Sequence, residues 1–196
     1  MDARTALLNA ARAKLAEKGF ATTSMDEIRR AAEVSNGSLF HHFPTKNALA
    51  RALYIAALHD YQAAQTAVMA KARSARAGIE GMVAAHIDWV LADRVSARIL
   101  VELRDSTAVE GDEVDWKAVN QAAFETLRAW IQRWVDAGEM IALPFDVWMA
   151  VVFAPVLQLT RGWALRPTQK VAPAVRRALA DAAWAAVEKR SKERSE

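Results

Sequence analysis

The 196-residue sequence contains no cysteine, which excludes disulfides and thiolate metal sites and suits a reducing, cytoplasmic setting. Glycine and proline are scarce, at seven and five residues, and nowhere do β-branched and polar residues alternate as strands require. What remains is alanine-rich, 53% hydrophobic and 25% charged, the texture of an all-α chain folded as one or two small domains. No apolar signal core opens the chain. Its longest apolar run, Val147 to Leu157, falls well short of the roughly 20 residues a membrane-spanning helix needs, so no membrane association is expected. The sequence also lacks a Gly-rich phosphate cradle, an HExxH and a Gly-x-Ser-x-Gly, and neither an enzyme nor a cofactor is expected. The four histidines have no ligand spacing, and neighbours such as His41 and His42 diverge by about 100° on a helix, which argues against a metal site.

Net charge is a modest +3, but its placement is uneven. Up to Arg51 there are eight basic and five acidic residues, and the remainder carries eighteen of each sign. A basic head on a neutral body suits a polyanion touched by the head alone. A solvated surface of the same composition is the competing account.

The head reads as three short helices. Asp2 can cap the first, whose apolar side is Leu7, Leu8, Ala11 and Leu15, and Gly19 closes it. Thr23 and Ser24 stand three residues before Asp26 and Glu27, two overlapping capping boxes for a second helix with Met25, Ile28 and Ala32 inside. After a break at Glu33, Val34 and Ser35, Ser35 caps a third helix that Pro44 stops. Leu39, Phe40 and Phe43 are expected on its inner side. Gly37, Ser38, His41 and His42 then have no apolar reason for their composition, and small residues rimmed by donors and acceptors are what a helix entering the DNA major groove requires. Thr45 caps a fourth helix. Lys46 in its first turn opposes the helix dipole, so a phosphate contact is its expected role.

The residues Gly19-Phe20, Thr22-Thr23, Ile28, Ala32, Val34-Ser35, Gly37, Leu39, His42-Phe43, Lys46 and Leu49 match in type and spacing the N-terminal domain of the TetR family of bacterial transcriptional regulators. The chain resembles that family over roughly its first 55 residues, with a faint echo at Arg161-Gly162-Trp163 and Ala183-Trp184. It departs at Arg29, where the family usually has alanine, at Glu33, where the turn usually has glycine, and at Phe40, where tyrosine is commonest. The resemblance implies a helix-turn-helix homodimer on a partly palindromic double-stranded DNA operator, most often a repressor. Thr23, Arg29 and Lys46 would position it on phosphates, and Ser35, Asn36, Gly37, Ser38, Phe40, His41 and His42 would form the rest of the DNA face.

Downstream, a long helix from Lys46 to about Lys71 places Leu49, Leu53 and Ala56 on one line. A fifth, near Ala77 to Asp93, puts His86 in a stripe with Ile79, Met82, Val83 and Val90. A sixth, Val95 to Leu103, turns Val95, Ile99 and Leu103 inward with Glu102 at the margin. A seventh, from near Asp112 to Gly138, carries Trp116, Val119, Ala123, Phe124, Leu127, Trp130, Ile131 and Trp134 with Asn120 among them. An eighth begins around Pro144, is apolar on all sides from Val147 to Trp163 and kinks at Pro155. A ninth, after Pro173, shows Val175, Leu179, Ala182 and Ala186 on one stripe with Trp184 opposite.

A helix apolar all round must be buried all round, and a chain this small needs a partner for one side. A homodimer through the last two helices is expected, with Val151, Gln158, Arg161, Val175, Leu179, Ala182 and Ala186 at the seam. The seven tryptophans are either core or the walls of a pocket for a small apolar or aromatic effector. The pocket candidates are Trp89, Trp116, Phe124 and Trp148, with His86, Glu102 and Asn120 as orienting groups. The expected architecture is a helix-turn-helix DNA-binding domain over residues 1–47 and a ligand-binding and dimerisation domain over 48–196, about nine helices in all. The expected function is a ligand-responsive transcriptional regulator. Its competitors are a DNA-binding helical protein without an effector and a helical interaction protein that does not bind DNA.

Overall fold

Helix-forming sequence dominates the computed structural model, which describes residues 2–104, 116–165 and 170–189, with side chains left aside at 104 and 116–118. Ten helices lie among the described residues: α1 (Ala3–Lys18), α2 (Met25–Ala31), α3 (Asn36–His42), α4 (Lys46–Lys71), α5 (Ala75–Ala92), α6 (Arg94–Arg104), α7 (Trp116–Asp136), α8 (Phe145–Val152), α9 (Ala154–Ala164) and α10 (Pro173–Ala185). They form two compact units, residues 1–60 with 93–115 and residues 61–92 with 116–196, so α4 contributes to both. The expected start of α7 near Asp112 lies outside the described residues.

In the first unit, Asp2 Oδ1 accepts the Thr5 amide at 2.9 Å and opens α1. Leu7, Ala10, Ala11 and Leu15 are its buried face, against which α2, α3 and α6 pack. Arg12 ties α1 to the start of α6 through Asp93 at 2.9 Å and Ser96 at 2.6 Å. Thr45 Oγ1 caps α4 by accepting the Ala48 amide at 3.0 Å. The buried row of α4 is Leu49, Leu53 and Ala57 at i, i+4 spacing. Ala56, expected on that line, is exposed.

The second unit is built around α5, which packs against α9 and α10. Ile79, Met82, Val83, His86, Ile87 and Val90 are all buried, as the stripe predicted for the residues it included. α7 adds Leu127, Trp130, Ile131 and Trp134, and α8 adds Trp148 and Val152. Gly78 is required by this packing, because a Cβ there would lie 2.1 Å from Trp130 Cζ2.

The expected kink at Pro155 is a full break. α8 and α9 meet at 49°, Phe153 closes one helix and opens the other, and Pro155 sits in the first turn of α9. Proline has no N–H to donate back along a helix and its ring crowds the preceding turn, but neither matters at a helix start. That break raises the helix count from nine to ten. In α10 the buried side is Ala183, continued by Val187 beyond the helix. Leu179 and Ala186 are half-buried, whereas Val175 and Ala182 are exposed. Among the described residues no single helix is long and apolar enough to cross a membrane.

Candidate nucleic-acid interface

The α2–α3 motif is held by local hydrogen bonds that its sequence dictates. The Ser24 amide donates to Glu27 Oε2 at 2.8 Å and the Glu27 amide donates to Ser24 Oγ at 3.2 Å, a complete capping box. Lys18 Nζ donates to the same carboxyl group at 2.5 Å. That bond first, and those from Ser24 next, hold Glu27 at a pKa of about 2. Between the helices, Glu33 adopts φ +55°, a left-handed conformation that costs a non-glycine residue about 1–2 kcal/mol. Glu33→Gly should therefore raise stability by about 0.5–1 kcal/mol after glycine's own entropic cost, read as a higher urea midpoint. An unchanged or lower midpoint would show that the turn is not strained.

Ser35 Oγ accepts the Ser38 amide at 3.1 Å and starts α3. Leu39 and Phe43 are buried and pin the helix, while Asn36, Gly37 and His41 face outward and Ser38 is half-buried. Phe40, expected inside, is 47% exposed. Two apolar anchors suffice for a seven-residue helix, and the third aromatic joins the outward face. His42 is half-buried and meets His41 edge to face at 5.1 Å.

Four other residues expected at this face are placed in supporting positions. Thr23 is 1% exposed and its hydroxyl donates to the Gly19 carbonyl at 2.8 Å, because Ser24 takes the cap. Arg29 folds back on Asp26 at 2.8 Å and on the Val34 carbonyl at 3.3 Å. Ser35 is spent as the cap of α3. Lys46 donates to the Ala21 carbonyl at 3.1 Å and sits 4.5 Å from the centre of the Phe20 ring, and burial lowers its pKa.

In the second unit His86 is brought together with Trp89 through Tyr61, a residue that sequence reasoning misses. Tyr61 meets His86 and Trp89 edge to face, with ring centres at 5.5 and 5.3 Å. The Thr160 hydroxyl donates to the Val156 carbonyl at 2.8 Å. His86 then donates from Nε2 to Thr160 Oγ1 at 2.7 Å and accepts the Tyr61 hydroxyl at Nδ1, 3.2 Å away. Asn120 receives the Gln62 amide at 3.1 Å, and Gln65, buried, donates to the Met82 carbonyl at 3.3 Å.

The remaining pocket candidates lie elsewhere. Phe124 stacks edge to face on Phe145 at 5.5 Å, and Trp148 is fully buried against Phe153. Glu102 belongs to the first unit, where it pairs with Arg98 at 2.5 Å. The side chain of Trp116 lies outside those described.

Burial depresses the His86 pKa from 6.5 to about 4 and pushes that of the Tyr61 hydroxyl up. Near neutral pH His86 is uncharged both folded and unfolded. Between pH 6.5 and about 4 the unfolded chain takes up a proton that the folded imidazole refuses, so stability falls with falling pH. The loss is on the order of 3 kcal/mol once pH is below both values. Urea midpoints at pH 7 and 4.5 should show this component in the wild type and not in His86→Gln; equal losses in both would refute it.

On α8 to α10 a set of large apolar side chains faces outward: Val147, Leu157, Leu159, Leu165 and Val175. Of these, Leu159 lines a groove of about 500 Å³ together with Pro155, Gln158, Gly162 and Trp163. Of the expected seam residues, Gln158, Arg161, Val175 and Ala182 are exposed, and Val151, Leu179 and Ala186 are half-buried.

Residues 7–53 match the sequence family described as bacterial regulatory proteins, tetR family. Over that stretch the chain is similar to the N-terminal segment of TetR-family regulators. The HTH-type transcriptional regulator UidR of Escherichia coli is 44% identical over 52 residues, 26% of each chain, so the match spans about a quarter of that relative's length. The HTH-type transcriptional repressor KstR2 of Rhodococcus jostii is 27% identical over 184 residues, 94% of this chain and 78% of that one. Among solved structures, a TetR family transcription regulator from Marinobacter aquaeolei superposes with a TM-score of 0.76 at 20% identity, covering 96% of both chains. FadR from Bacillus subtilis, in complex with stearoyl-CoA, gives 0.73 at 12% identity, covering 93% of this chain and 98% of that one. At these identities the structural likeness shows a shared fold.

Proposed function

We propose that this protein is a ligand-responsive DNA-binding transcriptional regulator of the cytoplasm, a repressor that binds a partly palindromic operator as a homodimer. The observation that carries the reading is the outward face of α3. Leu39 and Phe43 account for how the helix is held, and no packing among the described residues accounts for the composition of Asn36, Gly37, Ser38, Phe40 and His41. In this reading residues 1–47 are the DNA-binding domain and 48–196 the sensing and dimerising domain. Asn36, Gly37, Ser38, Phe40, His41 and His42 face the duplex, while Thr23, Arg29 and Ser35 act by holding the motif's shape. Lys46 keeps donors for a phosphate beyond the one it gives to Ala21.

Dimerisation covers the apolar side chains of α8 to α10, with Gln158 and Arg161 among them, and sets two α3 helices about 34–36 Å apart, one turn of duplex. The effector is a small apolar or aromatic molecule oriented by His86, Trp89 and Asn120 in the second unit. Support for an apolar portion of the guest comes from the FadR of Bacillus subtilis, whose similar fold holds stearoyl-CoA, a long acyl chain on a charged carrier. To release DNA fully the effector must favour the unbound form by about 5 kcal/mol.

Selection from a pool of random duplexes tests the reading whatever the operator sequence. Enrichment of two related half-sites about 10 base pairs apart, bound by two copies of the chain, is expected. A pool that stays unenriched, or enrichment of an unpaired site bound by one copy, would refute it.

A further inference from the structure

Within the first unit, behind α3, an open groove of about 460 Å³ runs between α1 and one face of α4. Its α4 wall is Ala48, Arg51, Ala52, Ile55, Ala56 and His59, which recur at helical spacing. Leu8 of α1 and Phe43 complete an apolar floor, and Arg4, Arg51, His42 and His59 form the rim. No lining residue is acidic. The Arg4 guanidinium lies 5.7 Å from the centre of the Phe43 ring, at the junction of rim and floor.

Floor and rim together narrow the occupant. Guanidinium groups match a carboxylate with paired donors, and the two imidazoles add ring nitrogens that can hydrogen-bond. A bare phosphate would leave the apolar floor against water. A neutral hydrocarbon would cover the floor and desolvate the Arg4 guanidinium at the rim. The volume is in the range of small-molecule sites, roughly 300–1,000 Å³.

We infer that this groove binds a mono-anionic amphiphile, a hydrocarbon body bearing one carboxylate, with Leu8, Phe43 and Ile55 under the body and Arg4 and Arg51 on the carboxylate. The site is separate from the effector group of His86, which lies in the other unit. It adjoins α3 through His42, so its occupant reaches the foot of the helix proposed to enter DNA.

The four histidines report on the two places independently. Imidazole NMR signals of the full-length protein, labelled at histidine, are followed during titration with decanoate at fixed pH. His42 and His59 are expected to shift saturably while His86 stays in place. Decanol should bind at least about tenfold more weakly, a loss of roughly 1.4 kcal/mol, and inorganic phosphate should shift neither signal at the same concentration. Arg4→Ala removes an exposed cation, and Ala56→Glu puts a carboxylate on an exposed position of the groove wall. Neither disturbs the core, and each should weaken decanoate by about tenfold or more. Three results would overturn the inference: saturation by phosphate alone, which marks a contact for the DNA backbone; shifts confined to His86, which mark the second unit; or variants within twofold of wild type.

Discussion

Gly37→Glu is expected to abolish sequence-specific DNA binding while leaving the protein folded. Gly37 is exposed in the first turn of α3, and the nearest side-chain atom to a Cβ built there is Ser35 Oγ at 4.0 Å. A longer side chain therefore meets open space. Removing a helical glycine gains about 0.5–1 kcal/mol, and a carboxylate in the first turn suits the helix dipole. Against a duplex the same carboxylate enters a field of phosphates at the point of closest approach. Like-charge juxtaposition of this kind costs several kcal/mol, so affinity should fall about 100-fold or more. Fluorescence anisotropy on a selected duplex reads the loss, and a thermal melt of the free protein should be equal to or above wild type. Retained affinity would mean that this face does not meet DNA.

Trp148→Ala is expected to have the largest effect on stability. Trp148 is fully buried, its ring lies 5.9 Å from that of Phe153, and its indole N–H has no hydrogen-bond partner among the described residues. Its contribution is thus packing and area, and truncation to alanine should cost about 3–5 kcal/mol. Trp148→Phe keeps much of the area and removes the unpaired donor, whose burial itself carries a cost of about 1–3 kcal/mol. The phenylalanine variant should therefore retain most of the stability that alanine loses. Urea unfolding monitored by circular dichroism checks both, and an alanine variant within about 1 kcal/mol of wild type would contradict the packing account.

Much of the head is legible in the sequence because its determinants are local. The capping residues Asp2, Ser24, Ser35 and Thr45 are chosen by hydrogen bonds that reach three residues along the chain, and spacing alone reveals them. Glu33 stands out as a departure at a position that favours glycine, and it does carry a positive φ. Errors arise where two local rules compete. Thr23 and Ser24 both fit a capping box, and the sequence does not say which one turns inward to the Gly19 carbonyl. Phe40 reads as inward because it is aromatic, yet Leu39 and Phe43 already fill the inner side of so short a helix.

In the body the difficulty is distance. His86 is visible as a polar residue in an apolar stripe, but its partners Tyr61 and Thr160 lie 25 and 74 residues away. Thr160 does leave a signal, as a polar residue inside the apolar stretch that ends at Trp163. Gln62 and Gln65 leave a weaker one, as amides on a helix otherwise rich in alanine. Pro155 announces an interruption, but whether the helix bends or breaks there depends on how α8 and α9 pack against the rest of the second unit. Glu102 reads as a companion of His86 because both border apolar stripes. Periodicity carries no information on which unit a helix joins, and α6 joins the first.

The central claim, that the outward face of α3 reads bases, is tested most directly by comparing wild type with Asn36→Ala/His41→Ala on a selected duplex and on a scrambled one at the same salt concentration. Both substitutions are on exposed side chains, so folding is unaffected. Base contacts contribute about 1–3 kcal/mol each and phosphate contacts act regardless of sequence. The account predicts a loss of at least about tenfold on the selected duplex, with affinity for the scrambled duplex and the salt dependence unchanged. Equal affinity of both proteins for the selected duplex would contradict it.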